Sequence, residues 1–151
     1  MAGKTTQAGG QGVVLRFALF YAHDSNHSTA FQAAIRAGQS PFMGEPDSYM
    51  SHIHAEDAAA AVVSALKAPA GIYNIAEDEP MRRVELGNVV AEIEGVGQPS
   101  LPEPMLGEIP GSVEALMRSQ RISNARFKDV TGWVSQYPSM REGWQQLLGA
   151  Q

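Results

Sequence analysis

The segment Ser51-His52-Ile53-His54-Ala55-Glu56-Asp57-Ala58-Ala59-Ala60-Ala61 sets the narrowest limit on what this chain can fold into. Its first residues alternate, so His52 and His54 share one face of a strand and Ile53 takes the other. An acidic helix start follows at once. Asp57 is placed to cap that helix, and the alanine-rich stretch to Leu66 carries it on. Pro69 and Gly71 close the helix, and residues 71–75 read as the next strand. Residues 13–20 are apolar except for Arg16, the pattern of a strand buried on both faces. The Asp57 helix is then a crossover, and the strands at 13–20 and 71–75 are expected to lie parallel in one sheet. The expected class is α/β.

The remaining segments fit around this unit. Residues 1–11 are polar and glycine-rich and read as a flexible tail, leaving 12–151 as a single domain. Ser28 is expected to cap a helix that runs to Ala37 and stops at Gly38. Short strands are expected at 42–43 and 49–54, around the turn Glu45-Pro46-Asp47-Ser48. Val84, Leu86, Val89, Val90 and Ile93 have helical spacing, and Gly95 closes that helix. Residues 98–111 hold four prolines and read as a surface loop. Further helices are predicted over 113–118 and 124–130, with a short strand at 121–122 between them. Ser139-Met140-Arg141-Glu142 is a capping box that opens a last helix to Leu148.

Bulk properties exclude several function classes. The chain has 151 residues, a hydrophobic fraction of 44% and a net charge of −5. A chain of this size buries roughly 70% of its unfolded surface, enough for its own core. Nucleic-acid binding needs clustered Lys and Arg, and the only lysines here are Lys4, Lys67 and Lys128. There is no cysteine, which removes disulfides, thiolate metal sites and a cysteine nucleophile. No apolar run approaches the roughly 20 residues of a membrane span. The start lacks the apolar core of a signal peptide, so a cytoplasmic location is expected.

Five segments together resemble one family. Gly12-Val13-Val14-Leu15-Arg16-Phe17-Ala18-Leu19-Phe20-Tyr21 is similar to the sixth strand of the Rossmann sheet, and the loop after it, in the extended short-chain dehydrogenases/reductases, the NAD(P)-dependent sugar-nucleotide epimerases and dehydratases. Ser51 to Ala61 resembles that family's "IHVDDLA" segment. Gly71-Ile72-Tyr73-Asn74-Ile75-Ala76-Glu77-Asp78-Glu79-Pro80 resembles its last parallel strand. Ser119-Gln120-Arg121-Ile122-Ser123-Asn124-Ala125-Arg126 is similar to "SRRVSNARF". Gly132-Trp133 with Tyr137-Pro138-Ser139-Met140-Arg141-Glu142-Gly143 is similar to "LGWRPRYPSYREGL". Order and spacing fit one collinear match from about Gly12 to Gly149, in the second half of a chain about twice this long. The resemblance implies a partial Rossmann-like parallel sheet, the C-terminal half of an extended short-chain dehydrogenase, with packed helices and small substrate-domain strands.

The same resemblance identifies what is missing. The family's nucleotide phosphates rest on a glycine-rich turn between a strand and a helix. Here Gly9-Gly10-Gln11-Gly12 precedes a strand instead. Gly3-Lys4-Thr5 lacks the upstream glycine and strand of a phosphate-binding loop. The family's catalytic pair is a tyrosine four residues before a lysine, which lowers the tyrosine's pKa for proton exchange during hydride transfer. Four positions after Tyr21, Tyr49, Tyr73 and Tyr137 stand Ser25, Ile53, Glu77 and Arg141. No catalytic residue is therefore assigned. No cofactor is expected for the isolated chain, although the intact family uses NAD(P).

The implied substrate side remains. Phe17 and Ala18 occupy positions that pass the nicotinamide ring in the family, as cofactor contacts in a complemented fold. Tyr21, His23, His52, Arg121 and Asn124 are the candidate substrate-binding residues. The family's asparagine facing the sugar is Leu19 here, and its "YGPG" turn is Tyr21-Ala22-His23-Asp24. Other readings stand beside these. Arg16 reads as a structural arginine paired with a carboxylate or loop carbonyls, because a lone buried charge is costly. His52 and His54 would hold a metal only if Glu56 or His23 converged on them. The alternative is that His54 fixes the turn into the helix, and no metal site is assigned. Ser123 and Asn124 serve equally well as helix caps.

Two functions follow as expectations. One is a truncated, epimerase/dehydratase-like protein, inactive alone, whose exposed sheet edge is covered by self-association, as in a homodimer. The alternative is a complementing subunit or fragment of an active NAD(P)-dependent nucleotide-sugar epimerase, dehydratase or reductase. The self-associating form is read with or without retained ligand binding; a nucleotide-sugar is the ligand the resemblance allows, and no nucleic-acid or membrane partner is expected.

Overall fold

Two parallel strand pairs, joined end to end along one stretch of chain, organise the computed structural model, which describes residues 12–101 and 110–149. β1 (Val13–Phe17) pairs in parallel with β5 (Gly71–Ile75), in register from Val13↔Gly71 to Phe17↔Ile75. β2 (Leu19–Tyr21) pairs in parallel with β4 (His52–His54), from Leu19↔His52 to Tyr21↔His54. The expected strand at 13–20 is thus two strands. The break at Ala18 is a change of partner: Ala18 N–H donates to Ile75 O at 2.9 Å, and Leu19 N–H donates to Ser51 O at 3.2 Å. Successive N–H groups of an extended chain point to opposite edges, so one residue hands the strand from β5 to β4. A third pair is antiparallel, β3 (Tyr49–Met50) with β6 (Met81–Arg82). The expected strands at 42–43 and 121–122 are not formed, although Gln120 N–H donates to Tyr49 O at 2.9 Å.

The helices are α1 (Asn26–Arg36), α2 (Ala55–Ala65), α3 (Arg83–Glu94), α4 (Gly111–Met117), α5 (Ala125–Thr131) and α6 (Met140–Gly149). α1 is capped by Ser25 rather than Ser28, with Ser28 N–H donating to Ser25 Oγ at 3.0 Å. α2 begins directly after β4, so its cap is His54, whose Nδ1 accepts from Glu56 N–H at 3.3 Å. Asp57 is therefore inside the first turn and does not cap. α2 connects β4 to β5 and so passes between the two parallel pairs; β1 and β5 are parallel as expected, but the helix does not follow directly on β1 or β2. α3 ends at Gly95, where φ is 70° and glycine is favoured. α6 opens on the expected box: Ser139 Oγ–H donates to Glu142, and Arg141 N–H donates to Ser139 Oγ at 3.1 Å. The expected tail at residues 1–11 and the middle of the proline-rich loop lie outside the described residues.

Packing divides between two apolar clusters. One lies under α2 and α5 and contains Ile53, Ala58, Ala61, Tyr73, Ile75, Phe127 and Trp133. Small Ala58 and Ala61 let α2 sit close to the strands, while Val62, Val63 and Leu66 on its other side are exposed. The other cluster gathers Tyr21, Phe31, Ile35, Leu86, Val90, Met140 and Trp144 from α1, α3 and α6. The expectation of a strand buried on both faces fails at β1 and β2. Val13, Val14, Leu15 and Phe17 are only partly buried, Phe20 is 46% exposed, and Arg16 is exposed. Helices cover one side of this run, so Arg16 meets solvent and needs no buried carboxylate. Among the described residues no helix is long and apolar enough to cross a membrane.

Candidate functional site

Two clefts open on either side of Ile122. The first, about 270 Å³, is walled by Phe17, Ala18 and Leu19 where β1 passes into β2, by Tyr49 to Ser51, and by Ala115, Leu116 and Arg118 at the end of α4. The buried Arg83 holds that far wall. Its guanidinium donates to Ser48 Oγ, to Leu116 O at 2.6 Å and to Arg118 O at 3.4 Å. Cationic donors suit the end of a helix, where carbonyls lack partners.

The second cleft, about 330 Å³, is lined by Glu77, Asp78, Pro80, Arg121, Ile122, Ser123 and Asn124. The Arg121 guanidinium lies over the Tyr49 ring, 4.8 Å from its centroid. Among the described residues Arg121 has no carboxylate at ion-pair distance. Asn124 neither caps α5 through its side chain nor hangs free. Its Nδ2 donates to Ala76 O at 2.8 Å and to Asp78 Oδ1 at 2.7 Å. Both amide hydrogens are committed, which leaves Oδ1 for a ligand. Ser123 does act as a local cap, its Oγ accepting from Ala125 N–H at 3.3 Å. Burial opposes the charge on Asp78, but bonds from Asn124 and Lys128 outweigh it and hold this carboxyl below its ordinary value.

Glu77 forms the inner wall of the second cleft and is 3% exposed. Burial pushes its carboxyl up to about 8, the Tyr21 hydroxyl works against this, and Asp57, Glu142 and Asp78 add to the rise. Tyr21 is raised in turn, first by its own burial and then by Glu77. The two groups lie near enough to act on each other's proton. Even so, neither Tyr21 Oη nor Glu77 Oε1 has a partner at hydrogen-bonding geometry.

The other sequence candidates sit deeper or elsewhere. Tyr21 is 1% exposed and meets His54 edge-on at 5.1 Å and His52 at 6.3 Å. Burial, aided by the charges of His27 and Arg83, lowers His52 to about 3. Burial also lowers His54, against the pull of Glu56 and Asp57. His23 borders a separate small cavity beside Ser28, Trp144 and Leu147. Among the described residues no three His, Asp or Glu side chains are placed to hold a metal. The structure thus joins Phe17 with Ala18, Arg121 with Asn124, and Tyr21 with His52, and leaves His23 apart.

Sequence reasoning missed Glu77, Arg83 and the actual work of Asp57. Asp57 is 2% exposed, and its carboxylate accepts from Gln136 N–H at 2.7 Å, Tyr137 N–H at 2.9 Å and Ser135 Oγ at 2.8 Å. The acid run Glu77-Asp78-Glu79, one residue beyond β5, was the available signal for Glu77.

A dinucleotide would find only part of a site here. Phe17 and Ala18 offer an apolar wall. Among the described residues no strand leads through a glycine-rich turn into a helix, the arrangement that cradles its phosphates. The residues present do not fit the whole cofactor.

No protein-family model and no curated protein matches the sequence. Solved structures do. The human epimerase family protein SDR39U1, solved with NADPH, is 17% identical with a TM-score of 0.80, over 94% of this chain and 50% of that one. UDP-glucose 4-epimerase of Thermotoga maritima, solved with UDP-glucose, is 16% identical with a TM-score of 0.74, over 96% and 47%. dTDP-glucose 4,6-dehydratase of Bacillus anthracis, solved with NAD, is 16% identical with a TM-score of 0.73, over 98% and 46%. The chain spans about half the length of these structures. It carries the Rossmann-like α/β fold of the epimerase and dehydratase chains, over that half.

Proposed function

We propose that this chain is the substrate side of a nucleotide-sugar epimerase, dehydratase or reductase fold, and that alone it holds a nucleotide-sugar weakly and transfers no hydride. The carrying observation is the second cleft, lined by Arg121, which among the described residues has no carboxylate at ion-pair distance, and by Ser123. A guanidinium and a hydroxyl suit a diphosphate. Ile122 joins this cleft to the one ending at Phe17 and Ala18, where the family's nicotinamide would approach. Binding is weak because both clefts are open, whereas formed pockets bury roughly 70–90% of a ligand. Calorimetric titration with UDP-, GDP- and dTDP-sugars tests this. Micromolar to millimolar binding of at least one is expected, weakened at least about tenfold by Arg121→Ala. Unchanged affinity in that variant would contradict the assignment.

Self-association belongs to the same reading. Gly12 O and Ala18 N–H both bond toward β5, so alternation turns the backbone groups of Val13, Leu15 and Phe17 to the opposite edge. That edge is unpaired among the described residues, an invitation to another strand. A second copy pairing β1 about a two-fold axis covers it. Sedimentation is expected to find a dimer or larger species at micromolar concentration. A clean monomer at that concentration and above would exclude it.

A further inference from the structure

We propose that Glu77 is a charge gate on the second cleft: the cleft accepts a phosphate-bearing ligand at Arg121 while Glu77 holds its proton, and loses that ligand when the proton leaves. This rests on the nucleotide-sugar reading of the cleft and adds a control to it.

The argument begins from the surroundings of the carboxyl. Glu77 N–H donates to His52 O at 2.8 Å, which fixes the residue beside β4. Its side chain is almost fully buried at the inner wall, and Oε1 has no hydrogen-bond partner. The groups acting on it come from every side. β2 supplies the Tyr21 hydroxyl, α2 supplies Asp57, α6 supplies Glu142, and its own segment supplies Asp78. Three of these four are carboxyl groups. The histidines of β4 bring no positive charge, because burial keeps both His52 and His54 neutral. Lys128 is already spent on the neighbouring carboxyl, its Nζ 2.5 Å from Asp78 Oδ1. Arg121 is the cation that remains in the cleft's lining among the described residues.

Protonated, Glu77 is a neutral wall and leaves the field of Arg121 to a ligand anion. Ionised, it places an uncompensated negative charge in the same cleft. That charge repels a diphosphate held at Arg121. Burial and the neighbouring carboxyls set the exchange at about 8, so the cleft is open at neutral pH and closes as the solution turns alkaline.

The test is calorimetric titration of the whole chain with UDP-glucose, whose diphosphate diester keeps its charge across the range, between about pH 6.5 and 8.8. The wild-type affinity is expected to fall about fivefold over that range. Glu77→Gln, which keeps the shape and removes the titration, is expected to bind with nearly constant affinity. A second readout is stability. A carboxyl raised in the folded state retains a proton that the unfolded chain releases, so wild-type stability declines as pH rises from the ordinary carboxylate range to about 8 and levels above it. Glu77→Gln removes that slope. Constant wild-type affinity, or a variant that repeats the wild-type fall, overturns the gate and leaves the cleft assignment standing. Absence of binding of UDP-glucose and of the GDP- and dTDP-sugars to either protein at every pH overturns the cleft assignment and the gate with it.

Discussion

Asp57→Ala should destabilise the fold by about 4 kcal/mol, because one buried and one partly buried backbone amide lose a charged acceptor at once. Gln136 N–H and Tyr137 N–H both end on this carboxylate, and the Ser135 hydroxyl reaches it as well. The aspartate is 2% exposed, so its acceptors are not already shared with bulk solvent. The position also lies in the first turn of α2, where a negative charge is favoured. Asp57→Asn keeps one acceptor and should fall between. Urea denaturation of the three proteins gives the comparison. A loss below about 1 kcal/mol for alanine would mean that the 135–137 loop is held by other contacts.

Gly143→Ala should destabilise by about 3 kcal/mol, opposite in sign to the usual gain of about 1 kcal/mol for replacing a helical glycine. A Cβ at Gly143 would overlap Tyr21 Oη and approach Tyr21 Cζ to 2.7 Å. Tyr21 has no room to retreat. It stacks on Trp144 with ring centroids 6.4 Å apart and is pinned edge-on by His54. Thermal melts of Gly143→Ala, alone and with Tyr21→Phe, form a double-mutant cycle. Partial rescue by phenylalanine is expected, since the hydroxyl goes and Cζ stays. A stabilised Gly143→Ala would show that α6 does not press on β2 as described.

These two residues also mark where the sequence was legible. Local patterns announced the parallel strands at β1 and β5, the crossover helix α2, and the capping box of α6, because each is written in neighbouring residues. The Asp57 contacts bridge about eighty positions, and no local rule reveals them. An aspartate near a helix start fits both a cap and a long-range staple, and His54 took the cap. The break at Ala18 was hidden for a similar reason. Apolar residues continue through it, and only the change of strand partner divides them. Gly143 looked like part of a motif, while its reason is the tyrosine ring laid against its Cα. The site was legible in part. Arg121, Asn124, Phe17 and Ala18 came from resemblance and line two adjoining clefts. Glu77 was hard to single out within its acid run, because its chemistry comes from burial and from carboxyls on α2 and α6 as well as from neighbouring Asp78.

The central claim is that this chain offers a ligand the substrate side of the fold without a complete dinucleotide site. Calorimetric titration of the purified chain with NAD⁺ and NADP⁺, beside the nucleotide-sugar panel, tests it most directly. The account predicts no tight dinucleotide binding, with affinity no stronger than that of the nucleotide-sugars. Submicromolar binding of either dinucleotide would contradict it and require a phosphate cradle that the described residues do not contain.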